Sequence, residues 1–153
     1  MATLLYVAHV LCAVVWVGGM VFALAVLRPA AHGALDGPQR LALMDGVFHR
    51  FFRLLWHVVP ILLLTGWAML YGWYWGFGAS IWHVHLMHGT GLTMAAIFIY
   101  VALVPRRRMR AALASGDRAA AAAALETIRK GVAVNMAIGL ATVAVAAWGR
   151  FGG

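Results

Sequence analysis

Four long apolar blocks, separated by polar and basic stretches, dominate the chain. Residues 4–27 contain no charged side chain. Residues 54–75 contain none either, with His57 their only strongly polar member. Residues 81–104 and 131–149 are free of Asp, Glu, Lys and Arg. Each block reaches or approaches the ~20 apolar residues that cross ~30 Å of hydrocarbon at 1.5 Å per residue. Lipid admits only helices and closed barrels, and these blocks lack the alternation of barrel strands. The pattern predicts an all-α integral membrane four-helix bundle with spans over residues 3–27, 54–75, 81–104 and 131–149.

The polar stretches carry a second, weaker pattern. In residues 38–53, Leu41, Leu43, Met44, Val47, Phe48, Phe51 and Phe52 interleave with Arg40, Asp45, Arg50 and Arg53. This reads as a short amphipathic helix at the membrane surface after the Gly37-Pro38 break. Residues 106–130 form a second amphipathic segment. Its Ala-rich part, capped at Ser115 or Asp117, is expected to run straight into the fourth span. Gly-rich residues 71–80, with Trp73, Trp75 and Trp82 nearby, read as an aromatic belt and turn. The whole chain is one membrane domain with no soluble part and no tandem repeat.

Composition agrees with the pattern: 65% of the 153 residues are hydrophobic and only 10% charged, with a mean hydropathy of +0.89. The first block has no Lys or Arg ahead of it and is too long for a signal peptide's apolar region, so it is read as a span. The lone Cys12 excludes an intramolecular disulfide. The placement of the +8 net charge matters more than its size. Arg28, Arg40, Arg50 and Arg53 flank the first connection. Arg106, Arg107, Arg108, Arg110, Arg118, Arg129 and Lys130 fill the third. Positive-inside reasoning puts both connections in the cytoplasm and both termini on the outer, periplasmic side of a bacterial inner membrane. The arginine run at residues 106–110 reads as an anchor to anionic headgroups rather than a nucleic-acid contact.

Ionisable residues within spans carry a functional presumption. His32 and His49 lie in a connection and read as solvated. His57 sits at a depth similar to Asn135 and is expected to form a structural polar pair with it. His9 and His85 lie on different spans, each roughly 6–9 Å below the outer boundary by the helical rise. Two histidines at one depth on facing helices suit the axial ligands of a haem iron. In the run His83-Val84-His85-Leu86-Met87-His88, steps of about 100° separate His83 from His85 and put His85 and His88 on one face. His88 is therefore the alternative ligand, and His83 points to headgroups or a neighbouring helix. His9, Ala13, Trp16 and Met20 recur at helical spacing beside Gly18-Gly19, so Trp16 is a candidate to pack on a flat cofactor. Gly131, Asn135 and Gly139 form a helix-contact stripe that would permit a homodimer. His57 lacks a histidine partner within the membrane, so one haem is favoured over two.

The segment from His9 through Trp16, Gly18 and Gly19 to Leu27-Arg28-Pro29 resembles the opening of CopD-family (copper-resistance D) membrane proteins. The likeness continues through Phe48 to Phe52, Thr65-Gly66, Val84 to Met87, and Arg129 to Gly139. The same pattern is similar to HemJ-type protoporphyrinogen oxidases, which are associated with haem b. That resemblance implies cofactor-binding roles for His9, Trp16 and Arg28, but those proteins carry a lysine where this chain has His85.

Three functional expectations follow. In the first, haem b is held between spans one and three by His9 and His85, for electron transfer or for oxidising a quinol or a porphyrin-like substrate. In the second, the protein binds or transports copper, with His85, His88, Met87 and Met20 as soft or borderline ligands. Against the second stands the spacing of Met87 and His85, about 200° apart on a helix. A third reading is a scaffold without a cofactor.

Overall fold

The computed structural model describes residues 2–73, 75–79 and 81–150, and they are almost wholly helical. Helix α1 spans Ala2–Val21 and passes through a π-turn at Phe22–Leu27 into α2, Arg28–Ala34. Helix α3 runs without interruption over Gly37–Trp73. After a single 3-10 turn at Phe77–Ala79 come α4 (Trp82–Leu103), α5 (Pro105–Ala114) and α6 (Arg118–Arg150). Four of the continuous helical stretches are long and apolar enough to cross a bilayer. The all-α, four-span reading of the sequence therefore holds.

Local chemistry sets the connections at the end of the bundle where the arginines gather, called here the basic end. Asp36 accepts the backbone N–H of Gln39 at 2.8 Å, and Gln39 Oε1 accepts that of Asp36 at 3.2 Å. This reciprocal pair starts α3. Between α5 and α6, Gly116 adopts φ +76°, a backbone conformation that side chains disfavour. Gly116 N–H bonds to Leu113 O, and Asp117 N–H bonds to Ala112 O. These are the two bonds of a Schellman stop. Asp117 then caps α6 by accepting Ala120 N–H at 2.9 Å, as the sequence suggested.

The amphipathic segment at residues 38–53 departs from expectation. It is the first half of α3 rather than a separate surface helix. Leu41, Met44, Phe48 and Phe52 are buried in the bundle core. Packing against neighbouring helices buries this face more completely than a headgroup layer would, and the helix continues unbroken into the apolar segment. At 1.5 Å per residue, the 37 residues of α3 extend about 55 Å, well beyond a ~30 Å hydrocarbon layer.

Helix α1 packs antiparallel along α3, and α4 along α6 with α5 folded against α6. Phe98 of α4 sits at the centre. Trp16 meets it edge-on with centroids 6.4 Å apart, Phe52 at 5.9 Å and Trp56 at 5.2 Å. Phe48 stacks on Phe52 at 5.6 Å. The small residues of α6 are used inside this core. A Cβ on Gly131 would lie 2.5 Å from Val101 Cγ2. One on Gly139 would lie 2.9 Å from Val17 Cγ2 and 3.0 Å from Met94 Cε. Asn135 donates to Met94 O at 3.2 Å. The stripe proposed for a homodimer therefore joins α6 to α1 and α4 of the same chain.

Candidate functional site

The histidines gather at the opposite, aromatic end of the bundle, around the turn that carries Trp75 and Phe77. His9 is half-buried in α1 and turned onto α3. Its Nδ1 lies 3.0 Å from Leu62 O and 3.1 Å from Thr65 Oγ1. Carbonyl oxygens only accept, so Nδ1 carries the proton and Nε2 keeps its lone pair. Thr65 in turn donates to Ile61 O at 2.7 Å and Leu62 O at 3.0 Å. Gly66 completes the seat: a Cβ there would lie 3.1 Å from His9 Cε1. Fixing one imidazole nitrogen on a carbonyl while presenting the other is how ligand histidines are oriented.

His85 and His88 share a face of α4, as helical spacing predicted, and both contact Phe77. His85 stacks on it with centroids 5.7 Å apart, and His88 meets it edge-on at 4.9 Å. His88 Nδ1 accepts the indole N–H of Trp67 at 3.3 Å. His88 therefore presents Nε2–H, and metal binding through Nε2 requires its proton to leave. His83 is buried and turned to a neighbouring helix, the second of the two placements expected for it. It packs against α6, where the absence of a Cβ on Gly149 makes room for its ring. The Nδ1 of His83 has no hydrogen-bond partner among the described residues.

The contacts of α3 and α6 relate His9 to α4 in two ways. His9 rests on residues 62–66 of α3, and Leu63 of that turn approaches Gly91 of α4. Trp67, one turn nearer the aromatic end, meets His88. Through α3, His9 falls near Gly91 with His88 about one turn above; through α6, where Gly139 meets both Val17 and Met94, it falls near Leu86. By the helical rise, six residues between Gly91 and His85 amount to about 9 Å. Helices α1 and α4 begin within a residue of the starts expected from the sequence, at Ala2 and Trp82.

Other sequence expectations divide. Trp16 is buried (1% exposed) against Phe98 and belongs to the core, with its Nε1 unpartnered among the described residues. Met20 is also buried. Met87 is half-buried and His57 is exposed on α3. Asn135 bonds to Met94 instead of His57, so that expected polar pair is absent. Arg28 lies at the basic end, remote from the histidines. His32 and His49 are exposed there, each bonded to arginine: His32 to Arg40 at 3.1 Å, and His49 to Arg53 and Arg106. Sequence reasoning gave no role in the site to Thr65, Trp67 or Phe77. The Thr65-Gly66 pair in an apolar span was the available signal, because a hydroxyl beside a missing side chain marks a close helix approach.

A haem was tested against these residues. His9 suits an axial ligand, with Nδ1 anchored and Nε2 presented. The mid-depth core, filled by Trp16, Phe52, Trp56 and Phe98, leaves no slot for a macrocycle there. Any such group would be confined to the aromatic third. Among the described residues no cluster of three or more His, Cys, Asp or Glu side chains forms a metal cage. The geometry is that of a multi-pass helical membrane protein with one oriented imidazole and two further imidazoles on α4.

The family model for CopD, copper resistance protein D, matches residues 45–149. That stretch covers more than half of the chain, which belongs to the CopD family. It contains α4 with His85 and His88, and it leaves His9, Trp16 and Arg28 outside the match. No curated protein and no solved structure matches the chain.

Proposed function

We propose that this protein handles copper within the membrane, taking the ion at the aromatic end with His9 as its inner ligand. The observation that carries the reading is the His9 ring, tied through Nδ1 to Leu62 O and Thr65 with Nε2 presented. From α4, His88, Met87 and His85 supply the imidazole and thioether donors that suit Cu(I), an ion content with few ligands. Copper is the cargo here, and the name of the CopD family is its second support. The basic connections lie in the cytoplasm on this reading, and the aromatic end faces the periplasm of a bacterial inner membrane.

The second reading is haem b with an electron-transfer role, ligated by His9 and by His85 or His88. The anchored Nδ1 of His9 favours it as much as it favours copper. Quinol or porphyrinogen oxidation would be the chemistry available to such a haem, in line with the HemJ-type likeness of the first span. Bound haem would supply the redox centre. The chain's own part is to hold His9 and keep water from the apolar core.

Protein purified in detergent separates the two. Stoichiometric copper in a colourless sample supports copper handling. A Soret band with a reduced α-band supports haem and overturns the copper reading. A sample with neither, after growth with added copper and a haem precursor, overturns both.

A further inference from the structure

A cleft opens at the basic end where the π-turn, α2, α3 and α6 converge. Its apolar wall includes Leu24, Leu27 and Val132, and its rim carries Arg28, Arg40, Arg129 and His32. The wall residues belong to the uncharged runs of the first and fourth spans. The rim follows immediately at the boundary, since Arg28 succeeds Leu27 and Arg129 precedes Gly131. The cleft therefore changes from hydrocarbon to cationic character at the depth where a lipid does the same.

The charges are arranged for an external anion. Arg129 is paired with Glu126. Neither Arg28 nor Arg40 forms an ion pair with a carboxylate among the described residues, although Glu126 lies near enough to Arg28 to feel its charge. Arg40 Nη1 instead donates to His32 Nδ1, which leaves its charge uncompensated. The π-turn contributes a second feature: the Arg28 N–H bonds back to Ala23 O, five residues earlier. Wide turns of this kind occur mostly at functional positions, and Ala23, Leu24 and Leu27 of this one line the cleft.

We propose that the cleft is a binding site for an anionic phospholipid. Arg28 and Arg40 hold the phosphate, and one acyl chain lies along Leu24, Leu27 and Val132. Basic pockets between spanning helices on the cytoplasmic side recognise lipid headgroups in this manner. The site lies at the other end of the bundle from His9 and stands or falls independently of the copper reading.

The test is native mass spectrometry of the full chain in mild detergent with equimolar phosphatidylglycerol and phosphatidylcholine. Phosphatidylglycerol adducts are expected to exceed phosphatidylcholine adducts by about tenfold. The R28Q/R40Q variant should lose that preference. R107Q/R108Q removes the same charge from exposed positions of α5 outside the cleft, and it should keep it. Circular dichroism of both variants checks that the helices are intact. No preference in the wild type, or an equal loss in both variants, overturns the proposal. So does full displacement of phosphatidylglycerol by inorganic phosphate, which would mark a site for a free anion.

Discussion

The two ends of this bundle are built on different terms. In α3, Leu41, Met44, Phe48, Phe52, Leu55, Val58 and Val59 are buried on the basic side, whereas Thr65 and Leu70 are the buried residues beyond. The other helices follow suit. Leu4, Leu11 and Val14 of α1 are 72%, 58% and 61% exposed, while Trp16, Val17 and Met20 are buried. The basic end is closed by capped turns and interlocked aromatics. The aromatic end is loosely packed, and its polar groups are held singly by hydrogen bonds to α3 or by ring contacts with Phe77. On the proposed reading, the metal chemistry sits apart from the most densely buried part of the bundle.

That contrast predicts different consequences for substitutions at the two ends. His9→Ala should have the largest effect, abolishing retention of copper or haem in the purified protein while leaving the helical circular dichroism unchanged. Phe52→Ala should do the reverse. Removing a ring that contacts Phe48 and Phe98 should cost about 3 kcal/mol, read as a shifted midpoint in a detergent unfolding titration, with ligand retained in the folded fraction. Thr65→Val preserves shape and removes one partner of His9 Nδ1. It should weaken metal affinity about tenfold, measured by competition with a chelator, with little change in stability. Asp117→Ala removes the α6 cap and should cost about 1 kcal/mol, with ligand affinity untouched. A loss of ligand in Phe52→Ala equal to that in His9→Ala would show that the two ends are not separate after all.

The spans were legible because hydrocarbon imposes a length and a composition that no other environment demands. The start of α6 was legible for a local reason, the carboxylate of Asp117 two residues after the Ser115 stop. The fate of residues 38–53 was not. An amphipathic stripe reads alike whether it faces headgroups or a neighbouring helix, and only the positions of Phe98 and Val132 decide. The intramembrane histidines were legible as a group, but not the contacts each one makes. Intramembrane imidazoles announce themselves by their desolvation cost, yet their contacts depend on which helices adjoin. Trp67 escaped notice because nothing in an apolar span marks an indole as the hydrogen-bond donor to a histidine on the next helix. The glycine stripe of α6 was legible as a helix contact, but not which helix it meets, because small residues signal a close approach without naming the helix that approaches.

The wide turn at Phe22–Leu27 bears on how this chain tolerates change in length. One hydrogen bond there spans five residues where an ordinary turn spans four. The turn therefore absorbs one residue more than the surrounding spiral needs. Removing a single residue from that stretch would let the coil tighten and leave His9 and Arg28 facing their present partners. The same deletion a turn or two earlier would rotate everything on one side of it by about 100° and unseat His9 from α3.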